Sequence, residues 1–118
     1  MYHNFSDMPV WQNAMDLAVE VFHIASALPK SEDYGLTSQI RRSANSVSAN
    51  ISEGFGRNTN KDKCQFYIIA RGSAFETQNH LIYGMKVNYF QQIQVEKLTS
   101  KYNDIIHDLN KLIKSLRN

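Results

Sequence analysis

Catalytic or metal chemistry in a chain of this kind would be carried by carboxylate–imidazole pairs at helical spacing. Glu20 and His23 form one Glu-x-x-His unit. Helical bundles use that unit twice, with two further inward glutamates, to hold a pair of metal ions. The unit occurs once here, and both residues fall off the apolar face of their segment. A solvated polar face is therefore expected, with no metal and no other cofactor. Glu76 and His80 stand four apart, which places them on one helical face as a surface contact. Gly72-Ser73 falls within a helical pattern rather than on the strand-to-helix elbow of a serine hydrolase. Gly54-Phe55-Gly56 follows a helix and lacks the Gly-Lys-Ser/Thr that grips phosphate. The single cysteine, Cys64, permits no intrachain disulfide and reads as a small buried apolar side chain. These residues assemble no catalytic constellation, and a non-enzymatic protein is expected.

Two other polar groups carry more information. Asn50 and Glu53 sit in the last turn of one helical segment, and Arg71 and Glu76 sit on the segment that must pack antiparallel to it. A carboxylate near a helix C-terminus is disfavoured by the macrodipole, so Glu53 calls for a compensating cation. A structural network of Glu53 and Glu76 with Arg71 or Arg42 is the expectation. The second group is basic: Arg41, Arg42, Arg57, Lys61 and Lys63 could grip phosphates, the last three at a turn between segments. These five are the candidate nucleic-acid contacts. Internal ion pairs on an otherwise solvated surface are the competing reading.

The elements that position these residues follow from periodicity. Residues 8–28 carry Val10, Trp11, Ala14, Met15, Ala18, Val21, Phe22 and Ala25 at helical spacing, with Asp7 as the expected cap and Pro9 in the first turn. Pro29 stops this helix. A second segment runs from residues 34–36 to Gly54, with the stripe Leu36, Ile40, Ala44, Val47, Ile51 flanked by Ser38, Ser43, Ser46, Ser48, Ala49 and Ser52. Serine is a middling helix former, so small side chains here point to close helix–helix approach on more than one side. Gly54 and Gly56 are expected to supply the stop and the sharp turn. The third segment opens on the capping pattern Thr59-Asn60-Lys61-Asp62 and runs to about Tyr89. Its lines Ile68–Arg71–Phe75–Gln78–Ile82–Met85–Tyr89 and Phe66–Ala70–Ala74–Thr77–Leu81 predict two packed faces. The last segment, residues 93–116, carries the seam Leu98, Tyr102, Ile105, Leu109, Leu112, Leu116. Four helices with short connections predict a single all-α domain over residues 1–118, an up-down-up-down antiparallel four-helix bundle.

The 118 residues carry a net charge of +2, 42% apolar and 20% charged residues, which fits a soluble globular domain. The charge is unevenly spread. Residues before Tyr34 hold Asp7, Asp16, Glu20, Glu32 and Asp33 against Lys30, whereas the middle holds Arg41, Arg42, Arg57, Lys61, Lys63 and Arg71 against Glu53, Asp62 and Glu76. No apolar run approaches membrane-spanning length, and the first residues lack the basic start and apolar stretch of a signal peptide. A cytoplasmic protein is expected.

The runs Leu36-Thr37-Ser38-Gln39-Ile40-Arg41-Arg42-Ser43-Ala44, residues 47–57 with Asn50-x-x-Glu53-Gly54, and residues 66–76 with Ala70-Arg71-Gly72-Ser73-x-x-Glu76 resemble the 23S rRNA-intervening-sequence protein family. The Trp11-Gln12 opening and the Leu28-Pro29-Lys30 stop fit the same pattern. The resemblance implies a four-helix bundle that assembles into a ring-shaped homopentamer, with no established biochemical role. It also implies that Asn50, Glu53, Arg71 and Glu76 determine fold and assembly. A group similar in fold, the accessory variability proteins of diversity-generating retroelements, is more basic and works with a reverse transcriptase. By that likeness the expected partners are further copies of the chain and RNA or a nucleic-acid-associated protein. The alternative is a protein-interaction scaffold without nucleic-acid contact.

Overall fold

The structure, a computed structural model, describes residues 2–117. Four helices, α1 (Pro9–Ala25), α2 (Leu36–Phe55), α3 (Asn60–Lys86) and α4 (Gln92–Arg117), follow one another with short connections. Each packs against its neighbour in sequence, α4 closes onto α1, and the diagonal pairs make no close backbone approach. This is the expected up-down-up-down bundle. Its long axis, 44 Å, is close to the ~40 Å that the 27 residues of α3 span at helical rise.

The first helix begins differently from expectation. Asp7 does not cap it: Phe5–Asp7 form a short 3-10 turn opened by Asn4, and α1 starts at Pro9 after Met8, whose side chain makes no capping bond. Burial draws the chain into this turn. Met8 is buried, Phe5 packs edge-on against Trp11 at 5.2 Å, and Gln12 donates to the Ser6 carbonyl at 2.9 Å. Beyond Pro29 a second 3-10 turn, Lys30–Glu32, leads into α2. Glu32 stitches this end of the bundle together. One carboxylate oxygen accepts the Leu36 amide at 3.1 Å and the other accepts the Tyr89 hydroxyl at 2.9 Å.

Gly54 and Gly56 do not provide a left-handed turn, since no glycine among the described residues has positive φ. Gly54 lies inside α2, where a Cβ would stand 2.7 Å from the Tyr67 ring. It is a contact glycine, and it lets α3 approach the end of α2. The capping expectation at α3 holds, with the Thr59 hydroxyl accepting the Asp62 amide at 3.1 Å. The same helix ends at Lys86 rather than near Tyr89. Asn88 takes φ 69°, and the Tyr89 amide turns back to the Gly84 carbonyl at 2.7 Å, an αL stop of the kind Asn tolerates.

The core is built from Val21, Ile40, Val47, Ile51, Leu81, Ile105 and Leu109, all at most 1% exposed. Between α2 and α3 the layer is made of small groups: Ser43, Ala44, Ser48, Ala70, Ala74 and Thr77 are all buried. The buried hydroxyls are largely satisfied. Ser43 bonds its own helix at the Ile40 carbonyl and meets the Thr77 hydroxyl at 2.9 Å, as polar groups in an apolar layer must. Of the two lines on α3, only Phe66–Ala70–Ala74–Thr77–Leu81 packs within the protomer. Arg71 and Gln78 of the other line reach α4 at its edge, on Asn110 at 2.8 Å and Asn103 at 2.8 Å, and its Phe75 and Ile82 face solvent.

Tyr102 is the exception to polar satisfaction. It is fully buried, and its hydroxyl makes no hydrogen bond. Burial pushes this phenol above its ordinary value of 10.0. The folded protein keeps Tyr102 neutral where the unfolded chain would ionise it. Its contribution to stability is therefore complete below pH ~10 and lost at about 1.4 kcal/mol per pH unit above it. Tyr102→Phe removes an unpartnered hydroxyl, so the variant is expected to match or exceed the native protein at neutral pH. Urea unfolding across the alkaline range checks both points, because the native protein should lose stability faster. Parallel pH profiles would contradict the expectation.

Candidate nucleic-acid interface and exposed apolar faces

The five basic candidates divide into two groups along α2. Arg41 and Arg42 lie in its first third. Arg57, Lys61 and Lys63 lie at its far end, about 24 Å away from Arg41 by helical rise. Within each group the cations differ in how much they are already engaged.

Arg41 is committed to α1. Its guanidinium stacks 4.0 Å above the Phe22 ring and donates to the Phe22 carbonyl at 3.1 Å and the Ser26 hydroxyl at 3.0 Å. It thus places positive charge on the C-terminal turn of α1, where the macrodipole favours it. Lys63 does the same for α2, donating to the Phe55 carbonyl at 2.7 Å and lying 5.6 Å from the Phe55 ring centre. Arg57 pairs with Glu53 at 3.1 Å and stacks 4.5 Å over Phe66. It stays exposed, and an exposed i,i+4 pair holds it only weakly. Arg42 lies 3.7 Å from Glu76 with most of its side chain in water. Lys61 is exposed and takes part in no ion pair among the described residues.

The four-residue polar set does not close into one network in the protomer. Asn50 donates to the Ser46 carbonyl of its own helix at 2.8 Å, and Glu53 takes Arg57 as its cation. Glu76 receives Arg42 and lies 3.3 Å from the ring of His80. Arg71 sits on the other flank of α3, donating to Asn110 at 2.8 Å. Only the Arg42–Glu76 link joins α2 to α3 as expected. Glu20 pairs with Lys101 at 3.3 Å, while His23 is exposed and meets Phe22 edge-on. Among the described residues no three His, Cys, Asp or Glu side chains converge as metal ligands, and no helix is long and apolar enough to cross a membrane. Cys64 is buried, with its sulfur 3.8 Å from the Ile113 carbonyl.

Two apolar surfaces remain uncovered. On α3, Ile69 (49%), Phe75 (53%), Ile82 (44%) and Tyr83 (51%) are half exposed. Gly72 lies among them with nothing within 4 Å of a would-be Cβ. A mid-helix glycine costs about 0.5–1 kcal/mol relative to alanine, and no contact inside the protomer accounts for it. On the diagonal helix, α1, the side chains of Met15, Ala18, Val19 and Phe22 line a groove of about 360 Å³ bounded by Arg41 and Asn45 of α2.

The model of the 23S rRNA-intervening sequence protein family matches residues 6–111, which include all of α1, α2 and α3 and most of α4. The chain belongs to this family. A crystal structure of a protein of unknown function from the S23 ribosomal protein family of Bacteroides thetaiotaomicron is similar to it, with a TM-score of 0.83 and 25% identity. That alignment covers 89% of this chain and 98% of the other. Nothing among curated proteins matches the sequence. In this 23S rRNA-intervening sequence protein the family's Ala-Arg-Gly-Ser-x-x-Glu run therefore has a visible division of labour. Ala70 and Ala74 pack inward, Arg71 ties α3 to α4, Glu76 ties α3 to α2, and Gly72 faces outward.

Sequence reasoning missed one basic residue. Arg117, in the last turn of α4, shares a groove with Lys61. Antiparallel closure brings the two ends of the chain's second half together, and no local motif signals it.

Proposed function

We propose that this chain is a non-enzymatic bundle that assembles with further copies of itself and binds RNA through the basic end of the assembled protein. The observation that carries the reading is the apolar outer face of α3 with Gly72 open at its centre. A monomer keeps such a face exposed at a cost in solubility, whereas a partner helix covers it. The α1–α2 groove is a different surface on the diagonal helix, and contact between unlike surfaces closes into rings. A ring of five is the number the family resemblance implies. Each copy would then repeat Arg57, Lys61 and Arg42, giving a phosphate-binding surface that a protomer of net charge +2 lacks alone.

A protein-interaction scaffold without nucleic acid is the second reading. It is favoured by the internal engagement of Arg41 and Lys63, which removes two of the five candidate cations from the surface. Light scattering of the purified protein, with and without RNA at low and moderate salt, separates the two. The leading reading expects an oligomer that gains mass with RNA and releases it as salt rises. An oligomer indifferent to RNA selects the scaffold, and a monomer at all concentrations refutes assembly.

A further inference from the structure

We infer that the groove between the first turn of α3 and the last turn of α4 is a binding subsite for single-stranded RNA, taking a phosphate between Lys61 and Arg117. This deepens the proposed RNA reading and rests on it. The groove measures about 330 Å³. Lys61 and Arg117 line it from different helices, Asn60 and Gln65 add amide groups, and Ile68 and Leu116 supply an apolar lining. That combination matches a nucleotide: charge for the phosphate, amides for polar edges, and an apolar surface for a base or sugar face.

Lys61 and Arg117 also differ from the cations that sequence reading favoured. Neither takes part in an ion pair among the described residues, whereas Arg42 and Arg57 each have a carboxylate. Neither has a side-chain hydrogen bond of the kind that consumes Arg41 and Lys63. Lys61 is the second residue of α3, where backbone amides and the macrodipole add positive potential. The nearest acid in sequence, Asp62, follows the next helical direction, about 100° around α3 from Lys61. The lining contains no aromatic side chain, so base stacking is weak and recognition is by backbone charge, with little sequence preference.

The test is fluorescence anisotropy of a labelled single-stranded RNA of about ten nucleotides, titrated with the full chain at several salt concentrations. Lys61→Ala with Arg117→Ala is expected to weaken binding about tenfold at low salt, and to flatten log K against log salt by about 1.4 for two lost phosphate contacts. Arg42→Ala is expected to change affinity by less than about twofold, because Glu76 already holds it. Circular dichroism confirms folding; both sites are exposed helix ends where alanine is well tolerated. If the native protein binds RNA and the double variant binds equally, the groove is refuted while the RNA reading stands. If the native protein binds no RNA, both fall. A labelled mononucleotide bound as tightly as the strand would overturn the strand and leave a free-nucleotide pocket.

Discussion

Replacing Phe75 and Ile82 together by aspartate is expected to convert the assembled protein to monomer without unfolding it. Both side chains stand about half exposed on the outer face of α3. Within the protomer the exchange is a surface substitution, within ~0.5 kcal/mol for each site. Across an interface the same exchange buries two carboxylates with no cation provided for them, at several kcal/mol each. An association constant reduced at least ~100-fold is the minimum that such a penalty implies. Light scattering gives the mass, and the helical circular dichroism signal shows that the bundle survives. Native and doubly substituted proteins of equal mass would exclude this face of α3 as the contact.

The two glycines Gly54 and Gly72 are expected to respond in opposite directions to added side-chain volume. At Gly54 a Cβ meets the Tyr67 ring at 2.7 Å and 3.1 Å and the Phe66 Cβ at 3.2 Å. Tyr67 is itself buried and cannot swing into water. Gly54→Val therefore forces α3 away from α2 at a cost of about 3 kcal/mol, at the upper end for overpacking. That is a large part of the ~5–15 kcal/mol that holds a domain of this size together. At Gly72 a Cβ meets nothing within 4 Å, so Gly72→Ala stabilises the isolated protomer by about 0.5–1 kcal/mol through helix propensity. Thermal unfolding of each substitution in the Phe75→Asp, Ile82→Asp background reads the protomer alone. In the assembled protein Gly72→Ala should instead weaken association, because the added methyl holds an approaching backbone off. A Gly72→Ala variant that assembles normally would show that the contact does not need the glycine.

The heptad seam of α4 was legible in the sequence because Leu98, Tyr102, Ile105 and Leu109 repeat at the packing period, and all four are buried. The family was legible from the second and third segments. Periodicity could not distinguish a face packed inside the protomer from one left for a partner. Phe75 and Ile82 read as core for that reason, since both kinds of face select the same residue types. Gly54 was misread because a contact glycine and a turn glycine look identical until the neighbouring helix is in place. Among the cations, type and spacing marked Arg41 and Lys63 as candidate phosphate ligands. Their fate was decided by carbonyls at the ends of α1 and α2, which no charge pattern reveals. Arg117 escaped notice for the converse reason, since only antiparallel closure makes it a neighbour of Lys61.

The order in which the helices meet has a dynamic consequence. Each helix is fastened to the one before and after it in sequence, and the bundle is closed by the α1–α4 seam, its thinnest contact. Amide exchange in such a molecule proceeds by partial opening, with the least secured segment leaving first. Here α1 can lift away while α2, α3 and α4 keep their mutual packing. The same helix bears Met15, Val19 and Phe22, the outer groove that a neighbouring copy would occupy. Assembly would then act as a clasp on the loosest part of the fold, and a protomer alone in dilute solution would be a helix-and-a-hinge rather than a closed bundle for part of its time.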